Sequence, residues 1–209
     1  MRKYLLLAAA ALIAAPVTAQ AAENAWGPTP RADTETNVFG VPLDQVGVGF
    51  GLGNYTGDFA GDVGAGSSWN VGADLDVSQP VDLEVNYIGG INSFVGDLND
   101  FNAYTNGVQA ALQLEPWTWD NTFTPYVSGG VGLNRISVAK DTSLNRDFQS
   151  DTAGAIPLAA GLDIQITDNV VAGARAQYDL LFDNEVIVEE NSTDSDRTSF
   201  MVKLGTSAF

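Results

Sequence analysis

Residues 153–182 alternate between apolar and polar side chains, and this alternation constrains the fold more than any other feature of the sequence. Every even position from Ile156 to Ile166 is apolar, while the odd positions between them are small or polar. The segment from Val170 to Phe182 repeats the pattern. Strict alternation with period two predicts β-strands that have one apolar and one polar face. The connecting Thr167-Asp168-Asn169 is so short that the two strands must be antiparallel neighbours.

The length of these two strands indicates their surroundings. A strand in a soluble protein usually has about five or six residues, whereas a strand that crosses a bilayer at a slant needs roughly nine to eleven. Both segments of the 153–182 hairpin reach the longer range. We therefore expect the apolar face to contact lipid and the polar face to line a barrel interior.

The same alternation recurs along the chain and gives eight predicted strands. Their approximate ranges are 44–55, 68–77, 81–87, 103–115, 122–134, 153–166, 170–182 and 198–209. The connections 78–80, 116–121 and 167–169 are short, and the others are long and rich in Gly, Asn, Asp and Ser. An even number of strands with alternating short and long connections is typical of an outer-membrane barrel. The predicted fold class is all-β, an eight-stranded antiparallel up-and-down transmembrane β-barrel.

A soluble lipocalin-like barrel is the main alternative, because it has the same number of strands with apolar residues inside and charged residues outside. Two observations argue against it. The charged face also carries the alternating glycines of the first strand, from Gly47 to Gly53, as a narrow lumen requires. The chain has only 9 Lys and Arg residues, too few for an ordinary soluble exterior.

Composition excludes several classes of function. The chain has no Cys and no His, which removes disulfides, thiolate chemistry and the commonest general base and metal ligand. Small outer-membrane barrels include lipid-modifying enzymes and proteases, but such chemistry relies on His-assisted groups. We predict no enzymatic activity and no cofactor. The formal net charge of −17 argues against a nucleic-acid partner.

The chain divides into three predicted segments. Residues 1–21 form a secretory signal peptide with a basic start at Arg2 and Lys3, an apolar centre and a cleavage site after Ala21. A retained anchor is the alternative, but the apolar run is shorter than the ~20 residues that a spanning helix needs. Residues 22–42 are polar and contain Pro, so we expect a periplasmic tail, or alternatively a short plug or partner-binding strand. Residues 43–209 form the barrel domain.

Several segments resemble a known family. They are Thr124–Leu133, the hairpin around Gly161–Asn169 and the terminal Phe209. In these segments the chain resembles the small outer-membrane β-barrel proteins of Gram-negative bacteria, and is similar to the outer membrane protein A transmembrane domain and to opacity-type proteins. The resemblance implies location in the cell outer membrane and implies that Phe209 is the assembly signal. Phe209 is at an odd position, whereas the apolar residues before it lie at even positions. A bulge near Gly205 would bring Phe209 and these residues onto the same face.

The polar face of the predicted barrel collects ionisable residues. A buried charge without a partner is costly, so Arg175 and Lys203 are each expected to pair with a carboxylate from the group Asp74, Glu84 and Asp163. These pairs would fill the barrel, because eight strands leave an interior just wide enough for side chains; a gated pore is the alternative. The predicted interior cluster is Asp74, Asp76, Asp82, Glu84, Glu115, Asp163, Arg175, Asp179 and Lys203.

Aromatic residues form two predicted belts where rings meet lipid headgroups. Trp117, Trp119 and Phe123 cluster at a short turn. The opposite belt, near the long loops, consists of Trp69, Tyr87, Tyr104, Phe182 and Phe200.

The long loops are acidic. They include Asp58, Asp62, Asp97, Asp100, Asp141, Asp147, Asp151, Asp183, Glu185, Glu189, Glu190, Asp194 and Asp196. Oxygen-rich loops suit Ca²⁺ or Mg²⁺, but no loop has EF-hand spacing, so we expect at most weak divalent binding. Other expected partners are outer-membrane lipid, lipopolysaccharide and the barrel assembly machinery. The expected function is non-enzymatic, in envelope structure or surface interaction; the alternative is a narrow channel or small-solute transporter.

Overall fold

The computed structural model describes residues 37–38, 41–61, 63–95, 101–120, 122–140, 151–182 and 195–207. The predicted signal peptide, most of the 22–42 tail, much of the long loops and Phe209 lie outside the described residues.

Eight long antiparallel strands form a closed barrel, which confirms the predicted fold class. Each strand pairs with the next along the chain, and the last pairs with the first. The strands are β1 Val41–Tyr55, β2 Gly66–Ser78, β3 Val81–Ser93, β4 Phe101–Leu114, β5 Phe123–Lys140, β6 Asp151–Thr167, β7 Val170–Phe182 and β8 Arg197–Ser207. A 3₁₀ helix spans Asp58–Gly61. Among the described residues, no helix is long and apolar enough to cross a membrane.

The start of the barrel is marked by a change of pairing partner within β1. Val41 and Pro42 pair with the two-residue strand Asn37–Val38. Pairing with β2 begins at Leu43.

Six strands extend further toward the long loops than the sequence indicated. The two largest extensions are in β3, which continues to Ser93 rather than ending near Tyr87, and in β5, which continues to Lys140. The strands β2, β4, β6 and β8 begin one or two residues earlier than predicted. In β3 the pair Gly89-Gly90 interrupts the alternation and weakens the strand signal. Both neighbouring strands nevertheless hydrogen-bond to this segment, and such pairing outweighs local strand preference.

The two faces of the barrel have the predicted orientation. The outward face carries large apolar side chains; Phe50 and Leu52 are 67% and 68% exposed, and Leu158 is 47% exposed. The inward face carries buried polar side chains such as Gln109 and Arg175. A soluble protein rarely exposes an apolar area that continues around its whole circumference, whereas a transmembrane barrel requires one.

The end of β8 differs from one expectation. Its pairing with β1 and β7 runs through Gly205 without a shift in register, so the expected bulge does not occur there. Register shifts are found instead near the short-turn ends of other strands, between Leu43 and Gln45 and between Asp76 and Ser78.

The three short connections lie where the sequence placed them. Residues 79–80 join β2 to β3, residues 115–122 join β4 to β5, and residues 168–169 join β6 to β7. Asp120 has a φ of 50° in the second turn, a conformation that Asp tolerates well. The barrel end with these turns is called the short-turn mouth below, and the opposite end the long-loop mouth.

Candidate functional site

The lumen combines long polar side chains with glycines that make room for them. A Cβ atom added to Gly90 would lie 2.9 Å from Nη2 of Arg197, and one added to Gly53 would lie 3.3 Å from the same atom. Gly161 has a similar role, because a Cβ atom there would overlap the ring of Tyr126. Alternating glycines on the inward face therefore allow large side chains to cross a narrow barrel.

Most of the predicted interior cluster lies inside the barrel. The buried members are Asp74, Asp82, Glu84, Asp163, Arg175, Asp179 and Lys203. Asp76 and Glu115, near the short-turn mouth, are half-buried. Glu115 accepts a hydrogen bond of 2.9 Å from Nε2 of Gln113.

A continuous chain of polar contacts crosses the centre of the lumen. Arg175 forms an ion pair with Glu84 on β3, and its Nε donates to Gln177 Oε1 at 3.0 Å. Nε2 of Gln177 donates to Gln109 Oε1 at 2.9 Å and to Asp179 Oδ1 at 2.7 Å. These contacts join strands on opposite walls of the barrel.

Arg197 is the lumen residue that sequence reasoning missed. Its guanidinium lies 3.5 Å from Asp179, donates to Ser68 Oγ at 2.7 Å and donates to the carbonyl oxygen of Gly89 at 3.3 Å. The predicted interior cluster includes Arg175 and Lys203 as its bases but not Arg197, which lies at the first position of β8. The signal was present in the sequence, because Arg197 shares odd parity with Lys203, but the predicted strand began one residue too late.

A third ion pair lies closer to the short-turn mouth. Nζ of Lys203 is 3.6 Å from Asp163, and it lies 4.9 Å from the ring centroid of Tyr126. The guanidinium carbon of Arg175 is 6.0 Å from the same ring centroid. The aromatic face stabilises both cations by a cation–π interaction. Arg175 and Lys203 thus each pair with a carboxylate of the predicted group.

The arrangement balances charge inside the barrel. Each of the three buried bases in the described strands has a carboxylate partner, and a charge in a low-dielectric interior needs such a partner. Within the part of the chain that the structure describes, no three carboxylates are grouped so that they could hold a metal ion.

The long-loop mouth has a different interior. A cluster of buried apolar side chains fills it, and we call this cluster the apolar seal. Its members are Tyr55, Val63, Phe94, Ala103, Ile136, Ala155 and Leu181. Val63 comes from the connection between β1 and β2 and pairs with Phe94 through an isolated β-bridge. The lumen is therefore polar in its centre, whereas at this end an apolar cluster lies beside a few buried polar residues such as Asn92 and Thr105.

Comparison with known proteins identifies the architecture. No protein-family model and no curated protein matches the sequence. Among solved structures, Neisserial surface protein A (NspA) matches with a TM-score of 0.59 and 16% identity, over 78% of this chain and 96% of that chain. Ail of Yersinia pestis matches with a TM-score of 0.54 and 12% identity, over 79% and 98%. OprG from Pseudomonas aeruginosa matches with a TM-score of 0.53 and 13% identity, over 82% and 99%.

The chain has the fold of a small Gram-negative outer-membrane β-barrel. This fold and the apolar outer surface together indicate the outer membrane as its location. In an outer-membrane barrel the short turns face the periplasm and the long loops face the exterior. The polar half of the lumen is then nearer the periplasm, and the apolar seal lies toward the cell surface.

The predicted aromatic belts occupy mostly outward positions on this outer-membrane barrel. At the short-turn mouth, Trp117 and Trp119 are exposed, with ring centroids 5.9 Å apart, and Phe123 is exposed beside them. On the other side, Trp69 and Tyr87 have ring centroids 5.3 Å apart. Tyr87 is at the centre of β3 rather than at its end, because β3 is longer than predicted. Tyr104 and Phe182 are half-buried and Phe200 is exposed, all toward the long-loop end of their strands.

Three of the acidic residues named for the long loops lie within the described residues: Asp58, Asp151 and Asp196. Asp58 begins the 3₁₀ helix, and Asp151 belongs to β6 rather than to a loop. Asp196 accepts hydrogen bonds from the hydroxyl of Tyr178 at 2.7 Å and from the backbone N–H of Leu181 at 3.1 Å. The other acidic residues named for the loops lie outside the described residues. Asp196 thus fixes the long-loop end of β7 and β8.

Proposed function

We propose that this outer-membrane barrel has a closed lumen and a non-enzymatic role, either in envelope structure or in surface contact through its long loops. One observation carries the proposal: buried side chains meet across the lumen both in its centre and at its long-loop end. Ion pairs of Arg175, Arg197 and Lys203 cross its polar part, and the apolar seal fills the long-loop mouth.

Because the lumen is closed, the surfaces that can contact partners are those on the outside of the barrel. Lipid contacts the apolar band, which includes Phe50 and Leu52, and the long acidic loops meet lipopolysaccharide and whatever approaches the cell. Divalent cations that bridge lipopolysaccharide phosphates would favour such contact, because both surfaces are anionic. The barrel assembly machinery is the other partner that this class of protein implies.

The non-enzymatic assignment rests on the side chains available. The chain has no His and no Cys. The buried carboxylates Glu84, Asp163 and Asp179 face basic partners across the lumen, which favours a structural role for them. Carboxylates held in ion pairs are poorly suited to accept protons from a substrate.

A narrow channel is the second candidate, and the polar lining favours it. A cavity of about 10 Å³ lies beside Asp74, Glu84 and Lys203 in the part of the lumen nearer the short-turn mouth. A volume of this size accommodates about one water molecule, not a hydrated ion or a metabolite.

Conductance in a planar bilayer distinguishes the two candidates. The purified, folded protein is added to one chamber, and a general porin in the same bilayer serves as the positive control. We expect no stable conductance steps from this protein, because the ion pairs and the apolar seal occupy the lumen. Reproducible steps that persist for seconds would contradict the closed barrel and establish the channel.

A further inference from the structure

The two ends of the lumen differ in their access to solvent. Toward the short-turn mouth, Gln45, Asp74 and Lys203 retain 8%, 7% and 6% of their exposure. All seven members of the apolar seal are buried, from no exposure at Ala103 and Ala155 to 8% at Leu181. Asp76 and Glu115 beside the short turns, by contrast, are only half-buried. Solvent therefore approaches the polar part of the lumen from the short-turn end.

A small polar cavity lies at the inner limit of this access. It has a volume of about 10 Å³, and its lining includes Gln45, Asn70, Asp74, Glu84, Asn86 and Lys203. A cavity must offer about one water-sized volume and two to four polar partners to hold an ordered water. This cavity meets both conditions.

Polar atoms around the cavity lack direct protein partners. Oδ1 of Asn70, Oε2 of Glu84 and Nζ of Lys203 are buried without a hydrogen bond to protein. The ion-pair partner of Lys203 is 3.6 Å away, beyond good hydrogen-bonding distance. Water both donates and accepts, so one molecule can serve the two acceptors and the ammonium group together.

Two hydrogen bonds of Asn92, called the latch below, hold the long-loop mouth closed. Nδ2 of the fully buried Asn92 donates to the carbonyl oxygens of Gly53 and Gly64, each at 2.9 Å. Gly64 follows Val63, so these bonds hold the connection between β1 and β2 over the mouth with Val63 turned into the apolar seal. Apart from the hydroxyl of Tyr55, which is hydrogen-bonded to Thr105, the side chains of the seal offer a water molecule no hydrogen-bond partner.

We propose that the lumen is a water-binding chamber that exchanges with the periplasmic side only: a water site formed by Asn70, Glu84 and Lys203 fills through the short-turn mouth, and the seal latched by Asn92 blocks the long-loop mouth. The inference deepens the proposed closed barrel and rests on it.

Silver-ion labelling tests the direction of access, since the chain has no Cys and a single introduced thiol has no background. Gln45→Cys places the thiol at the chamber, and Ala155→Cys places it in the apolar seal. Each variant is reconstituted into vesicles whose orientation is determined by protease cleavage of the long loops, and Ag⁺ is added to one side at a time. The thiol that remains is then titrated after solubilisation.

We expect the Gln45→Cys thiol to react at least about tenfold faster from the short-turn side than from the long-loop side. From the short-turn side it should also react at least about tenfold faster than the thiol of Ala155→Cys. Equal rates from both sides, or no reaction at Gln45→Cys from either side, would overturn the one-sided chamber. Silent bilayer recordings would still support the closed barrel in that event, so the two failures are distinguishable.

The latch is tested in the same background. The double variant Gln45→Cys/Asn92→Ala lacks both latch bonds. We expect its thiol to react with Ag⁺ faster than the thiol of Gln45→Cys when Ag⁺ is added on the long-loop side, and at nearly the same rate when it is added on the short-turn side. Heat-modifiable gel migration verifies that the variant is folded, and Val63→Ser provides a second way to weaken the seal. If both folded variants retain the parent rate from the long-loop side, the latch is wrong.

Water itself is detected by NMR magnetisation transfer in the unmodified protein. Gly72 is among the residues that line the cavity, and its backbone amide should show a cross-peak to water. The amide of Ala155 should show none. A missing peak at Gly72 would contradict the water site.

Discussion

The guanidinium of Arg197 lies 3.5 Å from the carboxylate of Asp179, and both side chains are almost fully excluded from solvent. The two residues are direct partners in the β7–β8 register, so the backbone ladder itself places them side by side. Asp179 also accepts hydrogen bonds from Gln109 and Gln177. The pair therefore connects β8 to the polar contacts in the centre of the lumen.

We expect Arg197→Met to lower the free energy of unfolding by about 3–5 kcal/mol, because it leaves the Asp179 carboxylate buried without its base. Asp179→Leu should cost a similar amount for the converse reason. The double variant should recover much of the loss, since an apolar pair of similar volume needs no charge compensation. Urea unfolding in lipid vesicles, followed by tryptophan fluorescence, measures all three.

Arg135 provides the matched control for this experiment. It is an exposed arginine on β5, and Arg135→Met should change the free energy of unfolding by less than about 1 kcal/mol. Additive losses in the Arg197 and Asp179 variants would show that the two residues do not interact.

The missed Arg197 shows what the sequence could and could not predict. Alternation fixed which face each residue occupies, and it applies to Arg197 as well as to Lys203. The position of a strand end depends on pairing with neighbouring strands, here of Arg197 with Tyr55 in the β1–β8 register. Such pairing is not encoded in local periodicity, so the predicted strand began at residue 198.

The apolar seal was missed for a related reason. Tyr55, Ala155 and Leu181 occupy inward positions, yet they are apolar. The predicted inward face was polar throughout, so these residues were not expected to form a cluster. Strand pairing brings them to the same mouth, where they contact one another and exclude water, and only the three-dimensional register shows this.

The contact between Gly161 and Tyr126 gives a second prediction. The two residues are partners in the β5–β6 register, and the Tyr126 ring covers the position that a Cβ atom at Gly161 would take. Gly161→Ala must therefore displace the ring that stabilises Lys203 and Arg175. We expect a loss of about 1–3 kcal/mol in the same unfolding assay.

A nearby glycine supplies the comparison for this substitution. A Cβ atom at Gly129 would lie 3.4 Å from Cδ2 of Leu158, an ordinary contact, so Gly129→Ala should be nearly neutral. Tyr126→Ala combined with Gly161→Ala should show no additional loss from the alanine at 161. If Gly161→Ala alone is as mild as Gly129→Ala, the ring does not constrain this site.

The tryptophans at the short-turn mouth give a third prediction. Trp117 and Trp119 are exposed and adjacent, as expected for side chains at headgroup depth. With Trp26 and Trp69 replaced by Phe, fluorescence of the remaining pair should be quenched more by lipids brominated near the glycerol than by lipids brominated near the chain end. Equal or reversed quenching would place these rings away from the interface.

The orientation of the apolar face gives the fourth prediction. Leu158 is outward-facing near the middle of β6, whereas Ile166 is outward-facing next to the short turn. An arginine on the lipid face costs about 2–4 kcal/mol at the bilayer midplane and about 0–1 kcal/mol near the interface. We therefore expect Leu158→Arg to lower the free energy of unfolding in vesicles by the larger amount and Ile166→Arg by the smaller one. The same residues in a water-exposed wall would tolerate arginine equally, so two small and similar losses would rule out the membrane-embedded orientation of this barrel.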